Sequence, residues 1–316
     1  MRGKRDLLLF LLIAFGASWL AALPVWTRGG PLDASVVIPT GLVMMFTPSL
    51  GVLAVWLLCH RGTPFREWAR RTGLTLGPRR GTTVRAIALA WFGVPLLTVV
   101  AAAVSVALGI LELDLGGLSL FRQMLGDQAD RIPLDPHALL VIQLVQAIVA
   151  GPLINALPAL GEEWGWRGWL LPRLLGDPGP GEGAGPGRIA VGRVWGALLL
   201  SGVIWGAWHA PLTLKGYNYP SLGPWAAVVF TGFCVLFGAL LGWLRLRSAS
   251  VWPAVFGHAS LNASAGLALI LGHADDPPNP ALAGITGVAG WAVLAVTLAG
   301  FLWYGSRGRP AESGRP

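Results

Sequence analysis

Long, continuous apolar blocks constrain the fold of this chain more than any other feature of its sequence. A helix needs about 20 residues to cross a bilayer, and eight blocks approach or exceed that length: 7–26, 36–59, 86–111, 138–159, 189–212, 225–244, 251–271 and 281–304. Alternating strands of a membrane barrel do not fit, because the blocks are continuously apolar and about twice as long as a barrel strand. The blocks predict an all-α, polytopic membrane bundle of about eight transmembrane helices, forming a single integral membrane domain over residues 1–316.

The composition supports a membrane location. Charged residues make up 12% of the chain, whereas a soluble domain usually carries about 25%. The first block follows a basic N-terminus, as in a signal peptide, but it is longer than a signal core and no clear cleavage site ends it. We therefore expect a retained first helix. The Gly/Pro-rich segment 176–187 is predicted to be a flexible loop between membrane helices.

The distribution of basic residues predicts the orientation in the membrane. When the connections between blocks are assigned alternately to the two sides, one side carries 19 of the 23 Lys and Arg residues and both termini. Cytoplasmic segments carry such an excess, so both termini are predicted to be cytoplasmic. This bias and contact with anionic lipids account for the net charge of +8, so membrane lipids are expected as partners and nucleic acid is not.

The first candidate functional residues follow the fourth block, in the segment EEWGWR at 162–167. On a helix, Glu163 and Arg167 lie one turn apart on one face, in the favourable order for an ion pair. Glu162 points about 100° away and has no local partner. The alternative interpretation is a polar helix end at the lipid headgroups, with the neighbouring tryptophans at the membrane interface.

Two further motifs place polar groups inside apolar blocks, where ionisable side chains are costly unless they are paired or functional. His209 ends the segment WGAWH at 205–209, and the alternative there is a hydrogen-bonded packing histidine. His258 and Asn262 lie one turn apart on one face of the seventh block. Their alternative role is to join helices by hydrogen bonds.

In this order on successive apolar segments, EExxxR, aromatic-xxx-His and HxxxN resemble the CPBP (Abi) family of CAAX proteases and bacteriocin-processing enzymes. The resemblance covers residues 150–271. Two departures are Trp205, where the family usually has Phe, and the Gly-rich insert after the first motif. The resemblance implies an intramembrane endopeptidase with Glu162 as general base and Glu163 and Arg167 as a supporting pair. It also implies that three further residues are catalytic partners: His209, His258 and Asn262.

We expect Glu162 and His209 to hold and deprotonate a water, while His258 and Asn262 donate hydrogen bonds to the oxyanion. No cofactor is favoured, since the chain has no HExxH motif. The alternative is a divalent metal such as zinc, bound by Glu162, His209 and His258.

The resemblance implies a hydrophobic or lipidated peptide as substrate, including prenylated CAAX peptides, and the sequence does not choose among them. Two other classes of function stay open. One is a proton-coupled transporter, although no inverted repeat of broken helices is evident. The other is a catalytically silent immunity or scaffold protein of the same fold.

The depth of Glu162 presents a difficulty. If the fourth helix ended at residue 159, Glu162 would lie at the membrane surface, about 30 Å along the normal from His209. A longer helix through Leu171, kinked at Pro152 and Pro158 and facing a wet cavity, would instead bring the carboxylates to mid-depth. This longer helix is a hypothesis that would resolve the difficulty.

Overall fold

The computed structural model describes residues 2–30, 32–126, 132–176 and 191–307. They form a bundle of α-helices, as predicted. The α-helices are α1 (Arg2–Ala21), α2 (Leu23–Thr27), α3 (Ala34–Cys59), α4 (Phe65–Arg71), α5 (Arg80–Ala107), α6 (Ser119–Leu125), α7 (Pro136–Glu163), α8 (Leu171–Leu174), α9 (Val191–Trp208), α10 (Ala210–Thr213), α11 (Trp225–Ser248), α12 (Trp252–Ser264) and α13 (Val288–Arg307). A π-helix (Trp164–Leu170) joins α7 to α8, and a 3₁₀-helix (Leu269–Leu271) follows α12.

Each of the eight predicted apolar blocks overlaps one of the longer helices, and three of them, 36–59, 138–159 and 225–244, lie wholly within it. Within the described residues, five helical segments are long and apolar enough to cross a membrane: Ala34–Cys59, Arg80–Ala107, Pro136–Leu174, Trp225–Ser248 and Trp252–Leu271. These are the helices of an integral membrane protein. The last block begins later than predicted, because α13 starts at Val288 and a turn-rich segment precedes it. Apart from Gly176, the predicted loop 176–187 lies outside the described residues.

The outer surface of the bundle is apolar and its interior holds polar side chains. On α7, for example, Ile154 and Leu157 are 74% and 65% exposed. Glu162, Glu163 and Arg167, further along the same continuous helical segment, are buried. This arrangement is the one that a hydrocarbon surrounding selects, since apolar groups can face lipid and charges must be paired within the protein.

The helix that carries the two glutamates continues past them, as the longer-helix hypothesis predicts. Pro152 and Pro158 lie inside α7 without ending it. The helical segment continues through the π-helix and α8 to Leu174, for 39 residues in all. The alternative of a helix that ends at the glutamates was wrong, because the segment runs on to Leu174 and Trp164, Trp166 and Trp169 are buried in the protein core.

Glycines set the closest helix contacts around this segment. Gly161 and Gly165 face α3, and a Cβ at Gly161 would lie 2.6 Å from the carbonyl oxygen of Met45. On α9, Gly202 and Gly206 face α11, where a Cβ at Gly206 would lie 2.6 Å from Cα of Thr231. Both pairs are spaced as small-xxx-small, the spacing that lets two membrane helices approach closely.

Candidate active site

Four ionisable side chains from two different helical segments are buried together. Glu162, Glu163 and Arg167 come from the end of α7 and the π-helix, and His258 comes from α12. Their exposed fractions are 2%, 0%, 1% and 4%. Charges so completely removed from solvent require direct partners, so the hydrogen bonds among them define the site.

Glu163 joins two of the motifs. Its Oε1 accepts a hydrogen bond of 2.9 Å from Nη1 of Arg167, the ion pair that the sequence predicts. The same oxygen lies 2.9 Å from Nδ1 of His258, a contact between residues 95 positions apart. A carboxylate oxygen can only accept, so Nδ1 of His258 carries a proton in this bond.

Glu162 is joined to the remaining motif through Trp205. The indole Nε1 of Trp205 donates a hydrogen bond of 2.7 Å to Oε2 of Glu162. The backbone carbonyl of Trp205 lies 2.9 Å from Nδ1 of His209. Since a carbonyl only accepts, Nδ1 of His209 carries a proton, and in the neutral ring Nε2 is left with a free lone pair.

The ring of Trp205 also contacts the other charged residues. The guanidinium carbon of Arg167 lies 4.2 Å from the ring centroid, within the distance of a cation–π contact. The ring centroid of His258 lies 5.3 Å from that of Trp205, and the ring of His209 lies 5.6 Å away. Trp205 therefore touches each of the three motifs.

A π-helix directly follows the two glutamates and carries Arg167. It spans WGWRGWL at Trp164–Leu170, directly after Glu163. A π-helix widens the turn, and such segments are frequent at functional sites. Just before the π-helix, Ser49 of α3 donates a hydrogen bond of 2.6 Å to the carbonyl of Gly161 of α7. This bond joins the two helices next to the glutamates.

A family model matches the part of the chain that contains this site. Residues 140–264 match the family model described as Type II CAAX prenyl endopeptidase Rce1-like. Residues 140–264 form an Rce1-like domain. This confirms the resemblance to CAAX proteases that the three motifs indicate. No curated protein matches the chain.

The Rce1-like domain runs from the first turns of α7 to the end of α12 and contains all six predicted site residues. It overlaps the predicted segment 150–271. Helices α1 to α6 lie outside the match, yet α3 packs directly against the domain at Gly161 and Gly165. The earlier helices therefore form one wall around the segment that carries the glutamates.

Asn262, the sixth predicted site residue, makes no contact with the other five through a hydrogen bond in the described part of the chain. Asn262 lies one turn after His258 on α12, but its side chain is exposed and no hydrogen bond within the described residues connects it to the site. His258 itself is buried. The role of Asn262 as an oxyanion donor thus stays a prediction.

The donor set of the Rce1-like domain gives no metal-binding arrangement of three ligands. Across the described residues, no group of three or more His, Cys, Asp or Glu side chains is placed to hold a metal ion. Glu162, His209 and His258, the ligands of the metal alternative, each have one polar atom engaged by another protein group, an arrangement that metal-bound histidines also show. Metal binding by these three residues thus stays a prediction.

Two residues near the domain's polar cluster have contacts that the motifs did not indicate. The indole of Trp205 is a hydrogen-bond donor, and the only signal for it in the sequence was the departure from Phe at this position. Gly238 of α11 lies against Arg167, because a Cβ there would be 2.7 Å from Nη2 of the guanidinium. A single glycine in an apolar helix gave no sequence signal of this contact.

Proposed function

We propose that this protein is an intramembrane endopeptidase that hydrolyses peptide bonds of membrane-embedded or lipidated peptides, including CAAX-type prenylated ones. The match to an endopeptidase family model supports a protease. The observation that carries the proposal is the contact of Trp205 with Glu162, His209, His258 and Arg167 inside an apolar bundle. A purely structural helix end would not need this convergence.

The nucleophile is a water held between Glu162 and His209. Oε2 of Glu162 is engaged by Trp205, so Oε1 is the oxygen that takes the proton from water as its oxygen attacks the scissile carbonyl carbon. His209, with Nδ1 protonated by its bond to a carbonyl, accepts a hydrogen bond from the same water at Nε2. When the tetrahedral intermediate collapses, Glu162 returns the proton to the leaving amine, which balances the hydrolysis.

His258 stabilises the oxyanion on the other side of the carbonyl. Glu162, Glu163 and Arg167 have a formal charge of −1 when all three are ionised, and a second proton on His258 makes the buried cluster neutral. The imidazolium then donates from Nδ1 to Glu163 and from Nε2 to the oxyanion, which is the preorganised donor that acyl transfer requires. Asn262, one turn away on α12, supplies a second donor when bound substrate brings it into reach.

The surroundings of the site favour a hydrophobic substrate delivered from the bilayer. The helices around it present apolar side chains outward, and five of the helical segments are long enough to span a membrane. The bias of 19 out of 23 basic residues to one side supports a cytoplasmic location for both termini. Membrane lipids surround the protein, and no nucleic acid is expected as a partner.

The test is cleavage of a quenched fluorescent library of hydrophobic and prenylated peptides by the purified, full-length protein in detergent. We expect turnover that Glu162→Gln and His209→Ala each reduce at least about 100-fold, as for loss of a general acid–base group. Glu112→Gln is the matched control, because the Glu112 side chain is 81% exposed and lies outside the site. It should cleave as wild type does.

The outcomes distinguish the glutamate mechanism, the metal-dependent alternative and the catalytically silent protein. Turnover that is lost in both site variants and unaffected by chelator supports the glutamate mechanism. Loss of turnover on chelation contradicts the metal-free version. No turnover by the wild type on any peptide in the library contradicts the proposed activity and favours a silent immunity or scaffold protein.

A further inference from the structure

We propose that Trp205 is a positioning residue that sets the orientation of Glu162 and the tautomer of His209 together. This inference rests on the proposed peptidase function and deepens it. A phenyl ring at this position would have no N–H to donate. The side chain of Trp205 makes the contact to Glu162, and its backbone carbonyl makes the contact to His209.

The first contact fixes the carboxylate of Glu162. The indole N–H of Trp205 donates to Oε2 at 2.7 Å, with both residues buried. A hydrogen bond to an ionised acceptor is roughly twice as strong as a neutral one. It holds the carboxylate in one rotation about its last bond and commits Oε2, which leaves Oε1 as the oxygen that faces the reacting water.

The second contact depends on how α9 ends. The backbone N–H of His209 bonds the carbonyl of Gly206 at 3.1 Å instead of the carbonyl of Trp205, four residues back. Pro211 follows closely and cannot continue the helical hydrogen bonding. The carbonyl of Trp205 is therefore one of the unpaired carbonyls at the helix end, and Nδ1 of His209 satisfies it at 2.9 Å.

The indole itself has little freedom to move. The guanidinium of Arg167 lies over its face at 4.2 Å, and Arg167 is held in turn by Glu163. On the α11 side, Phe237 packs against the indole at a centroid distance of 6.4 Å. A Cβ at Gly238 would lie 3.4 Å from the ring. Because the ring is enclosed, the indole N–H of Trp205 is held in one position relative to the backbone carbonyl of the same residue.

Trp205 therefore positions both groups that hold the reacting water in the proposed mechanism, the carboxylate of Glu162 and the imidazole of His209. The side chain of Trp205 orients the base, and its backbone carbonyl sets which nitrogen of His209 is free. Phenylalanine at this position would keep the carbonyl contact and lose the contact to Glu162. Trp205→Phe is thus a selective test of the indole N–H.

The matched control is Trp164→Phe. Trp164 directly follows Glu163 and is also buried, but its indole donates to Oγ1 of Thr72 at 2.8 Å and not to a glutamate. Both substitutions remove one buried indole hydrogen bond and a similar ring volume. They differ in whether the lost acceptor is the carboxylate of Glu162.

We expect Trp205→Phe to lower kcat about 10- to 100-fold with KM within about twofold of wild type, the range for removing a group that orients a functional ligand. Trp164→Phe should change thermal stability by a similar amount and keep kcat. If Trp205→Phe is unstable, 3-benzothienylalanine at position 205, which replaces N–H by sulfur and keeps both rings, should show the same loss of kcat. Equal kcat in the Trp205 and Trp164 variants, or an effect confined to KM, would overturn the proposal.

A second measurement is independent of turnover. The indole N–H band of Trp205 is isolated as the ultraviolet resonance Raman difference between wild type and Trp205→Phe. The same difference is then measured in proteins that also carry Glu162→Ala. There the N–H band of Trp205 should shift to the position of an indole without a hydrogen bond, and an unshifted band overturns the proposal. If the wild type cleaves no peptide, the peptidase function fails while this band still decides whether Trp205 holds Glu162.

Discussion

Gly165→Ala tests whether the close packing of the π-helix on α3 sets the position of the glutamates. A Cβ at Gly165 would overlap the ring of Pro48 and lie 2.9 Å from the Pro48 carbonyl carbon. Pro48 lies inside α3, and neither its ring nor its backbone can swing aside as a flexible side chain can. The two segments must therefore move apart.

The size of this movement follows from ordinary contact distances. Relaxed carbon atoms lie about 3.5 Å or more apart, so relief of the 2.9 Å contact with Pro48 alone requires a shift of at least about 0.6 Å. The bond from Trp205 to Glu162 is 2.7 Å long and passes the usual limit of about 3.2 Å after a stretch of about 0.5 Å. Because Glu162 lies within one turn of Gly165, a shift of this size is enough to disturb the general base.

We expect Gly165→Ala to lower kcat by about 10- to 100-fold, since misplacement by about 1 Å can cost about 100-fold. Overpacking costs about 1–3 kcal/mol, and the helix preference of Ala over Gly offsets about 0.5–1 kcal/mol of it. The stability loss should therefore be small, while the activity loss is large. Peptide cleavage and denaturant titration of the purified protein in detergent measure the two effects.

Gly41→Ala on α3 is the control. A Cβ at Gly41 would meet nothing within 4 Å, so this variant should keep wild-type activity and gain slight stability. Wild-type kcat in Gly165→Ala, or equal behaviour of the two variants, would refute the argument that this glycine sets the site.

Two further predictions concern the electrostatics of the protein. Glu163→Gln leaves Arg167 and His258 buried without the carboxylate that they share. It should lower the free energy of unfolding by about 3–5 kcal/mol, as for a broken buried ion pair. A denaturant titration that gives the wild-type free energy of unfolding would contradict this. Backbone N–H groups of Gly117 and Ser119 bond Asp114, and hydrogen bonding chiefly from Ser119 lowers the pKa of this exposed carboxyl from 3.8 to about 2. The stability that Asp114 contributes is thus fully present above pH 3.8 and is lost as the pH falls through about 2. We therefore expect the backbone amide of Ser119 to be protected from hydrogen exchange at pH 5, and Asp114→Ala to remove this protection. Unchanged protection in that variant would contradict the assignment.

The sequence by itself determined the fold class and the local pairing. Apolar blocks of membrane-spanning length predicted helices, because a bilayer leaves every backbone polar group to be satisfied within the segment. The pair Glu163 and Arg167 was predictable for the same local reason, since residues four apart on a helix are neighbours whatever surrounds them. The three motifs also pointed to the family that the match over residues 140–264 supports.

The partners of Glu162 and His258 were decided by the tertiary structure. Trp205 is 43 residues from Glu162, and His258 is 95 residues from Glu163. In a membrane, an apolar side chain that faces lipid and one that faces another helix have the same hydropathy, so the sequence does not say how each helix is rotated. The rotation is set by steric fit at positions such as Gly165 and Gly206, and that fit exists only once the helices are packed.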